Sequence, residues 1–362
     1  MQLLTVVGAR PQFVKAAVVS MALREAGVDE QLLHTGQHYD AGLSQVFFDE
    51  LGIPAPAFQL QVGSGSHARQ TAAMLTGIEA ILERQRPDAV LVYGDTNSTL
   101  AGALAAVKLN IPVHHVEAGL RSFNRAMPEE INCIVTDSVA DLLFAPTATA
   151  MANLRHEGRD EGARLTGDVM FDAVLHYREL ADRRADIAGS TGLPAGDYLL
   201  ATVHRASNTD DPEILAAICT AFARLAADLP VVWPVHPRTR ARLQDLSGAA
   251  PPDLHLIEPV GYLDMLRLER HARLVLTDSG GVQKEAFFQR VPCITLRGET
   301  EWRELVDCGW NTLVYPDDSA AIVSAVHTAL AMPAAERVTP PPLYGDGRAA
   351  QAIAGLLRDR RR

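Results

Sequence analysis

Short apolar runs alternate with longer amphipathic stretches in the first half of the chain. The runs are LLTVVGA, QLLHTGQ, DAVLVYGD, VHHVEAG and DLLFAPT, and each leads into a turn-forming or polar residue. Apolar runs of this length bounded by such residues are typical of buried strands, and the amphipathic stretches between them are typical of helices. The pattern therefore predicts a parallel β-sheet with crossover helices.

The same alternation starts again in the second half. Its apolar runs are YLLATVHR, PVVWPVHP, LHLIEPVG, RLVLTDSGG, PCITLRG and NTLVYP, with helical patterns such as PEILAAICTAFARLAADL between them. We therefore predict an α/β fold of two Rossmann-like domains that face each other across a cleft, because ligands of open α/β sheets bind beyond the carboxyl ends of the strands.

The expected domain limits follow from this restart and from the end of the chain. We predict an N-terminal domain over residues 1–168, a C-terminal domain over residues 169–345 and a terminal helix over residues 346–362. The apolar positions of RAAQAIAGLLRDRRR suit docking on a domain rather than a free tail, so we expect this helix to return to the first domain.

Composition excludes several classes of protein. A chain of 362 residues with 48% hydrophobic content is long enough for two domains with separate cores. The net charge of −11 argues against a nucleic-acid partner. The sequence has no apolar window near the roughly 20 residues that span a bilayer, so no membrane association is expected. The spacing of its cysteines (Cys133, Cys219, Cys293 and Cys308) indicates neither zinc nor disulfides. We expect a cytoplasmic protein without bound metal.

Carboxylates follow two apolar runs of the first half and open a predicted helix. Asp95 follows DAVLVYG, Glu117 follows VHHV, and Glu129 and Glu130 come directly after MP. Capping, favoured by the helix macrodipole, explains Asp95 as well as chemistry does and explains one of the two adjacent glutamates. It does not explain Glu117, and acids grouped at strand ends suit proton transfer. The sequence therefore favours acid–base chemistry at this edge of the first sheet.

Basic residues at other strand ends indicate a local anion site. Arg10 and Lys15 lie in GARPQFVK, a predicted helix start, although a solvated basic face explains them as well. His204 and Arg205 follow YLLATV, where they could bind phosphate. His236 follows PVVWPV, where a hydrogen-bonded turn histidine is the simpler interpretation.

The segment DSGGVQKEA is the most informative of the second half. Ser279, Gly280 and Gly281 open a predicted helix, so their backbone N–H groups suit a diphosphate, and Glu285 lies within reach of ribose hydroxyls. Arg297 follows the next apolar run in LRGETEW. Together these residues indicate a nucleotide-sugar site.

The motifs together resemble a known family over nearly the whole chain. GARPQF, HTGQHYD, GDTNSTLAG, HVEAGLRS, MPEEIN, the HR after Val203, HPRT, DSGGVQKEA and TEW occur in the order typical of non-hydrolysing UDP-N-acetylglucosamine 2-epimerases. Within that family, SFN before MPEEIN and TEW in place of TERPE are most similar to the branch acting on UDP-2,3-diacetamido-2,3-dideoxyglucuronate. UDP-N-acetylglucosamine itself is the alternative substrate.

The resemblance implies a GT-B-like fold, a homodimer, and a mechanism without metal or nicotinamide. UDP leaves C1 as the C2 proton is removed, which gives a glycal, and UDP then adds back as C2 is protonated from the other face. The catalytic residues implied by motif position are Asp95, Glu117, Glu129 and His204. The phosphate ligands implied are Arg10, Lys15, Ser279 and Gly280. Glu285 is implied to hold the ribose.

Two positions depart from the family pattern. Cys133 stands where an arginine usually follows EEIN, and Ser207 stands where a glutamate is usual in HRxEN. The loss of the arginine removes a charge that could orient Glu129 or bind phosphate, and we consider Arg121 or Arg125 as substitutes. Both arginines are also candidates for contacting a uronate carboxylate.

Several rival interpretations stay open at this point. A glycosyltransferase shares the fold and the UDP site, a hydrolysing epimerase would release UDP and free sugar, and a nucleotide-sugar sensor would bind without turnover. Allosteric activation by substrate is compatible with Gln37, Arg69 and Gln70, although a polar loop explains these residues equally well.

Overall fold

The computed structural model describes residues 1–37, 48, 50–184, 196–245, 254–332 and 341–359. Within residues 237–245, nothing is described of the side chains at 237, 238, 244 and 245. The chain divides into two compact units, Met1–His176 with Pro342–Arg362, and Tyr177–Pro341.

A parallel seven-stranded sheet in the order β3-β2-β1-β4-β5-β6-β7 forms the centre of the first unit. Its strands are β1 (Gln2–Val7), β2 (Asp29–His34), β3 (Phe58–Gln59), β4 (Ala89–Tyr93), β5 (Val113–Val116), β6 (Leu142–Ala145) and β7 (Ala163–Leu165). The helices of this part of the chain are α1 (Arg10–Glu25), α2 (His67–Gln85), α3 (Asn97–Lys108), α4 (Pro128–Val139), α5 (Ala148–His156) and α6 (Val169–Asp182). Every residue of β4 is buried, as expected for a strand covered on both faces.

The second unit contains a parallel six-stranded sheet in the order β10-β9-β8-β11-β12-β13. Its strands are β8 (Leu199–Thr202), β9 (Val231–Pro234), β10 (Leu254–Ile257), β11 (Leu274–Thr277), β12 (Cys293–Thr295) and β13 (Asn311–Leu313). Its helices are α7 (Ala206–Thr209), α8 (Pro212–Ala226), α9 (Pro237–Asp245), α10 (Tyr262–His271), α11 (Gly280–Phe288), α12 (Arg303–Asp307) and α13 (Ser319–Ala331). The predicted pair of Rossmann-like α/β domains is confirmed.

The terminal helix α14 (Ala349–Asp359) packs against α1 of the first unit. Ile353 and Leu357 are its fully buried contacts, in agreement with the predicted return of this helix. Asp172 on α6 accepts a hydrogen bond from the Ala350 backbone N–H at 2.7 Å, which fixes the start of α14. Burial outweighs this bond and raises the pKa of Asp172 to about 6.

Among the described residues, no helix is long and apolar enough to cross a membrane.

Candidate active site

The strand order of each sheet reverses at one point, and the motifs of interest lie there. In the first sheet β1 and β4 are neighbours, and Arg10 at the start of α1 and Asp95 in the next loop follow them. In the second sheet β8 and β11 are neighbours, and their following loops carry His204 and Ser279. Ligands of open α/β sheets bind at such switch points, beyond the carboxyl ends of the strands. Each unit therefore has its own candidate binding edge.

Glu117 and Lys15 form a buried ion pair at the end of β5. Glu117 is 5% exposed, and Lys15 Nζ contacts its Oε2. The backbone of Glu117 has a φ of 71°, a left-handed conformation that is uncommon for a non-glycine residue and is often found at functional sites. A Cβ at Gly94 would lie 3.2 Å from Glu117 Oε2, so glycine lets the β4 loop pass beside the pair. Lys15 is thus directed at Glu117 in this structure.

Asp95 lies in the loop between β4 and α3 with an exposed side chain. It is not the cap of α3, because Thr96 is the N-cap and its Oγ1 accepts from the Thr99 N–H at 3.2 Å. The capping interpretation of Asp95 is therefore wrong. Gln12 of GARPQF holds this loop from one side, donating to the Tyr93 carbonyl at 2.8 Å. Asn132 of MPEEIN holds it from the other side, donating to the Asp95 carbonyl at 2.9 Å.

The two adjacent glutamates of MPEEIN occupy different environments. Glu130 is 5% exposed and accepts from Ser122 through its backbone N–H at 2.7 Å and its Oγ at 2.9 Å. Glu129 is exposed on the first turn of α4. Glu130 therefore fixes the loop before α4, and Glu129 is the member of the pair that a ligand can reach.

A buried cluster around Asp137 supports this edge of the sheet. Asp137 has no exposed surface, and it accepts from His115 Nδ1 at 2.7 Å, from the Gly119 N–H at 3.0 Å and from Arg121 at 2.7 Å. Burial alone would raise its pKa, but His115 and Arg121 hold the pKa of Asp137 below its usual range. Arg121 Nη1 also lies 3.3 Å from Cys133 Sγ.

The position of Arg121 excludes one role considered for it. Its guanidinium is 1% exposed and pairs with Asp137 and with Glu157, the latter at 2.6 Å. The expectation that Arg121 contacts a substrate carboxylate is therefore wrong, because its hydrogen-bonding groups are turned to these acids. Arg125 lies exposed in the same loop and remains a candidate.

The other expected residues of the first unit divide into packed and exposed groups. Arg10 is half-buried at the first position of α1. Gln37 and Gln70 are buried in one network, since Gln70 donates to the Gln37 carbonyl at 3.0 Å and Gln37 accepts from Ser98 Oγ at 2.7 Å. Arg69 is exposed on α2. The rest of the HTGQHYD motif, residues 38–40, lies outside the described residues.

In the second unit, Asp278 holds the loop that carries His204. Asp278 has no exposed surface, and it accepts from His204 Nδ1 at 3.1 Å and from the His204 and Arg205 backbone N–H groups. Burial would raise the pKa of Asp278, but the His204 hydrogen bonds outweigh it and lower that pKa. Because Nδ1 faces Asp278, Nε2 of the half-exposed His204 ring is the nitrogen that can meet a ligand.

The turn after β11 opens α11 in the manner expected for an anion site. Ser279 is the N-cap, and its Oγ accepts from the Val282 N–H at 3.4 Å. A Cβ at Gly281 would meet only Ser279 Oγ, at 3.9 Å, so open space lies where a side chain at this position would stand. A Cβ at Gly280 would come within 2.3 Å of Glu301 Oε1. The start of α11 therefore presents backbone N–H groups to a space that an anion could fill.

The remaining expected ligands surround this turn or lie farther along the sheet. Arg297 is 7% exposed and donates to Glu301 Oε2 at 2.9 Å, and Arg205 lies 4.0 Å from the other oxygen of Glu301. Glu285 is buried in α11, and His236 is exposed after β9. Ser207 is also exposed.

Sequence reasoning missed the residues that support the site. Asp278 belongs to the DSGG motif but is not among the predicted site residues. Its position directly after an apolar run indicates a polar group at the end of a strand. Gln12, Asn132 and Asp137 gave no comparable signal, because their partners are distant in sequence. Gln12, for example, bonds to residues more than 80 positions away.

Comparisons with known proteins agree with this geometry. Residues 21–358 match the family model described as UDP-N-acetylglucosamine 2-epimerase. The chain is 48% identical, over 99% of both chains, to the UDP-2,3-diacetamido-2,3-dideoxy-D-glucuronate 2-epimerase of Pseudomonas aeruginosa.

Two solved structures are also similar. One is the Methanocaldococcus jannaschii UDP-GlcNAc 2-epimerase in complex with UDP-GlcNAc and UDP, with a TM-score of 0.89, 40% identity and 99% coverage of each chain. The other is the Neisseria meningitidis UDP-GlcNAc 2-epimerase bound to UDP-GlcNAc, with a TM-score of 0.90, 29% identity and coverage of 99% of this chain and 100% of that one.

The contrast between the two glutamates of α4 predicts opposite effects of one substitution. We expect Glu129→Gln to keep the melting temperature and to lower turnover of a UDP-sugar by about a hundredfold or more, the usual scale for loss of an acid or base. We expect Glu130→Gln to cost about 1 to 2 kcal/mol of stability, because a buried charged acceptor is lost. Thermal unfolding and a coupled assay measure both. Normal turnover by Glu129→Gln would contradict the assignment.

The open space beside Gly281 predicts a variant that is stable but binds poorly. Gly281→Ala should leave stability unchanged or raise it by up to about 1 kcal/mol, because alanine favours helix. Its methyl group should weaken binding of UDP by about tenfold, because it intrudes where the diphosphate would lie. Gly355→Ala in α14, where a Cβ would have no neighbour within 4 Å, is the matched control and should leave binding unchanged. Calorimetric titration with UDP tests both, and wild-type affinity in Gly281→Ala would disprove this placement of the diphosphate.

Proposed function

The chain belongs to the UDP-N-acetylglucosamine 2-epimerase family, and from this premise we propose that it inverts C2 of a UDP-2-acetamido sugar without net hydrolysis. The observation that carries the proposal is the occurrence of acids at one switch point and of an anion-binding helix start at the other. Asp95, Glu117 and Glu129 belong to the first group, and the Ser279–Gly281 turn forms the second.

The acids of the first unit supply the proton transfers. A base removes the C2 proton as the C1–O bond to UDP breaks, and the electron pair of the C–H bond becomes the C1=C2 bond of a glycal. The UDP oxygen then attacks C1, and an acid delivers a proton to the opposite face of C2, so the reaction needs no oxidant or reductant. Asp95 and Glu129 are exposed and are suited to exchange protons with a substrate. Glu117 is buried beside Lys15, whose ammonium offsets its charge.

The second unit stabilises the leaving group. Negative charge grows on the diphosphate as the C1–O bond breaks, and preorganised donors lower the barrier because they need not reorient. The backbone N–H groups at the start of α11, together with His204 and Arg205, provide such donors. Asp278 contributes indirectly, because it fixes both residues through their backbones. Glu285, His236 and Arg297 complete the proposed set of nucleotide-sugar ligands.

We further propose that the substrate is UDP-2,3-diacetamido-2,3-dideoxyglucuronate, which becomes its manno epimer. The similarity to the Pseudomonas aeruginosa enzyme supports this choice, and the similarity to enzymes crystallised with UDP-GlcNAc supports UDP-N-acetylglucosamine as the alternative. The homodimer, the cytoplasmic location and the allosteric role of Gln37, Arg69 and Gln70 stay predictions.

The proposed route predicts a solvent isotope label. In deuterated water, NMR should show deuterium at C2 of the epimerised sugar, and long incubation should release traces of glycal and UDP. Stoichiometric free sugar would instead indicate a hydrolysing enzyme, and transfer to an added acceptor would indicate a glycosyltransferase. Tight binding with no C2 exchange would indicate a sensor, and epimerised product without deuterium would exclude the elimination route.

The choice of substrate predicts a charge-dependent effect at Arg125. A uronate carries a carboxylate at C6 that a neutral sugar lacks, so Arg125→Ala should cost about 1.5 to 3 kcal/mol in kcat/KM with the uronate and little with UDP-N-acetylglucosamine. Arg125→Lys is the control that keeps the charge and should retain much of the activity. Equal losses with both substrates would contradict a carboxylate contact. Equally efficient turnover of both substrates by the wild type would disprove the narrower assignment.

A further inference from the structure

Glu285 has a second glutamate as its neighbour. Glu269 on α10 packs against α11 and has no exposed surface. Its Oε2 accepts from Gln289 Nε2 at 3.0 Å, and Gln289 lies one helical turn after Glu285, which places the Glu269 carboxyl group beside the Glu285 carboxylate. The other oxygen of Glu269, Oε1, receives no hydrogen bond from the described residues. Ionised carboxylates are acceptors only, so Glu269 and Glu285 cannot form a hydrogen bond with each other when both are ionised.

Such a contact requires a proton between the two groups. Two ionised carboxylates cannot share a site that water does not reach, whereas a carboxylic acid donates a strong hydrogen bond to a carboxylate. Burial, followed by the charge of Glu285, raises the pKa of Glu269 well above its usual range. Glu269 is therefore the neutral member of the pair, and its proton lies between the two carboxyl groups.

The other titratable groups around Glu269 do not supply a counter-charge. Tyr262 lies on the same helix, close enough to Glu285 for the charge of that carboxylate to act on its hydroxyl. Cys293 on β12 lies close enough for the charge of Glu269 to act on its thiol. Burial comes first among the causes that raise the pKa of both groups, so both are neutral at physiological pH. Ionisation of Glu269 would consequently place a second negative charge directly beside Glu285.

We propose that Glu269 is a positioning residue for the nucleotide: as a neutral acid it donates a hydrogen bond to Glu285 and holds that carboxylate in the orientation that accepts the ribose hydroxyls. This proposal rests on the proposed function, in which Glu285 binds the ribose of UDP. Loss of the proton at high pH turns the donor into a repelling charge, so nucleotide affinity falls as pH rises.

The test compares two uncharged replacements of Glu269 in the intact protein by calorimetric titration with UDP. Glu269→Gln keeps a donor toward Glu285 and an acceptor for Gln289, and we expect an affinity within about twofold of the wild type. Glu269→Met has a similar size but no donor, and we expect affinity to fall about tenfold. As the pH is raised above neutrality, the wild type should lose affinity more steeply than Glu269→Gln, because only the wild type has a carboxylic acid to ionise at this position.

Ribose-modified nucleotide separates positioning from a general structural role. The loss of affinity caused by Glu269→Met should be smaller with 2′-deoxy-UDP, because this nucleotide lacks one of the hydroxyls that donate a hydrogen bond to Glu285. Equal weakening by both substitutions, or wild-type affinity in Glu269→Met, would overturn the positioning role while leaving UDP binding intact. Failure of the wild type to bind UDP at any pH would overturn the proposed function and this inference together.

Discussion

Asp278 accepts hydrogen bonds from the His204 ring, from the His204 and Arg205 backbone and from Asn208, and it has no exposed surface. A buried carboxylate left without donors would be strongly destabilising, so the loop after β8 must keep the conformation that supplies them. The same residue directly precedes the Ser279 cap of α11. One buried charge thus fixes the imidazole, the loop and the start of α11 relative to each other.

The first unit uses the same device at Asp137. Its donors come from β5, the turn after β5 and Arg121, so the turn beside Glu117 is fixed by a charge with no exposed surface. This arrangement accounts for Cys133, where the family usually has an arginine. The guanidinium of Arg121 already lies beside the Cys133 sulfur and pairs with Asp137. Burial raises the pKa of the Cys133 thiol, so this position stays neutral and adds no charge to the cluster.

The fold could be predicted well from the sequence because both sheets are parallel and their inner strands are buried. A buried parallel strand has apolar residues on both faces, so it is recognisable as a continuous apolar run. The sequence also predicted candidate residues for the chemistry, since Asp95, Glu117 and the DSGG turn closely follow such runs. It could not distinguish Glu129 from Glu130, because adjacent residues at a helix start differ only in the direction of their side chains. Arg121 was misjudged for a similar reason: its partners Asp137 and Glu157 lie 16 and 36 positions away, and a loop position alone does not reveal them.

Among the acids of the first unit, burial distinguishes those that hold the loops in place from those that are suited to proton transfer. Asp137 and Glu130 are buried, and their oxygens are held by donors, so taking up a proton would break bonds that hold the loop. Asp95 and Glu129 are exposed, and a change in their protonation does not disturb a buried network of that kind. A reaction that removes one proton from a carbon and returns another needs exposed acids that can exchange protons. Buried acids with fixed hydrogen bonds hold the loops that carry them. Glu117 combines features of both groups: its side chain is buried and paired with Lys15, and its backbone has the strained conformation often found at functional sites.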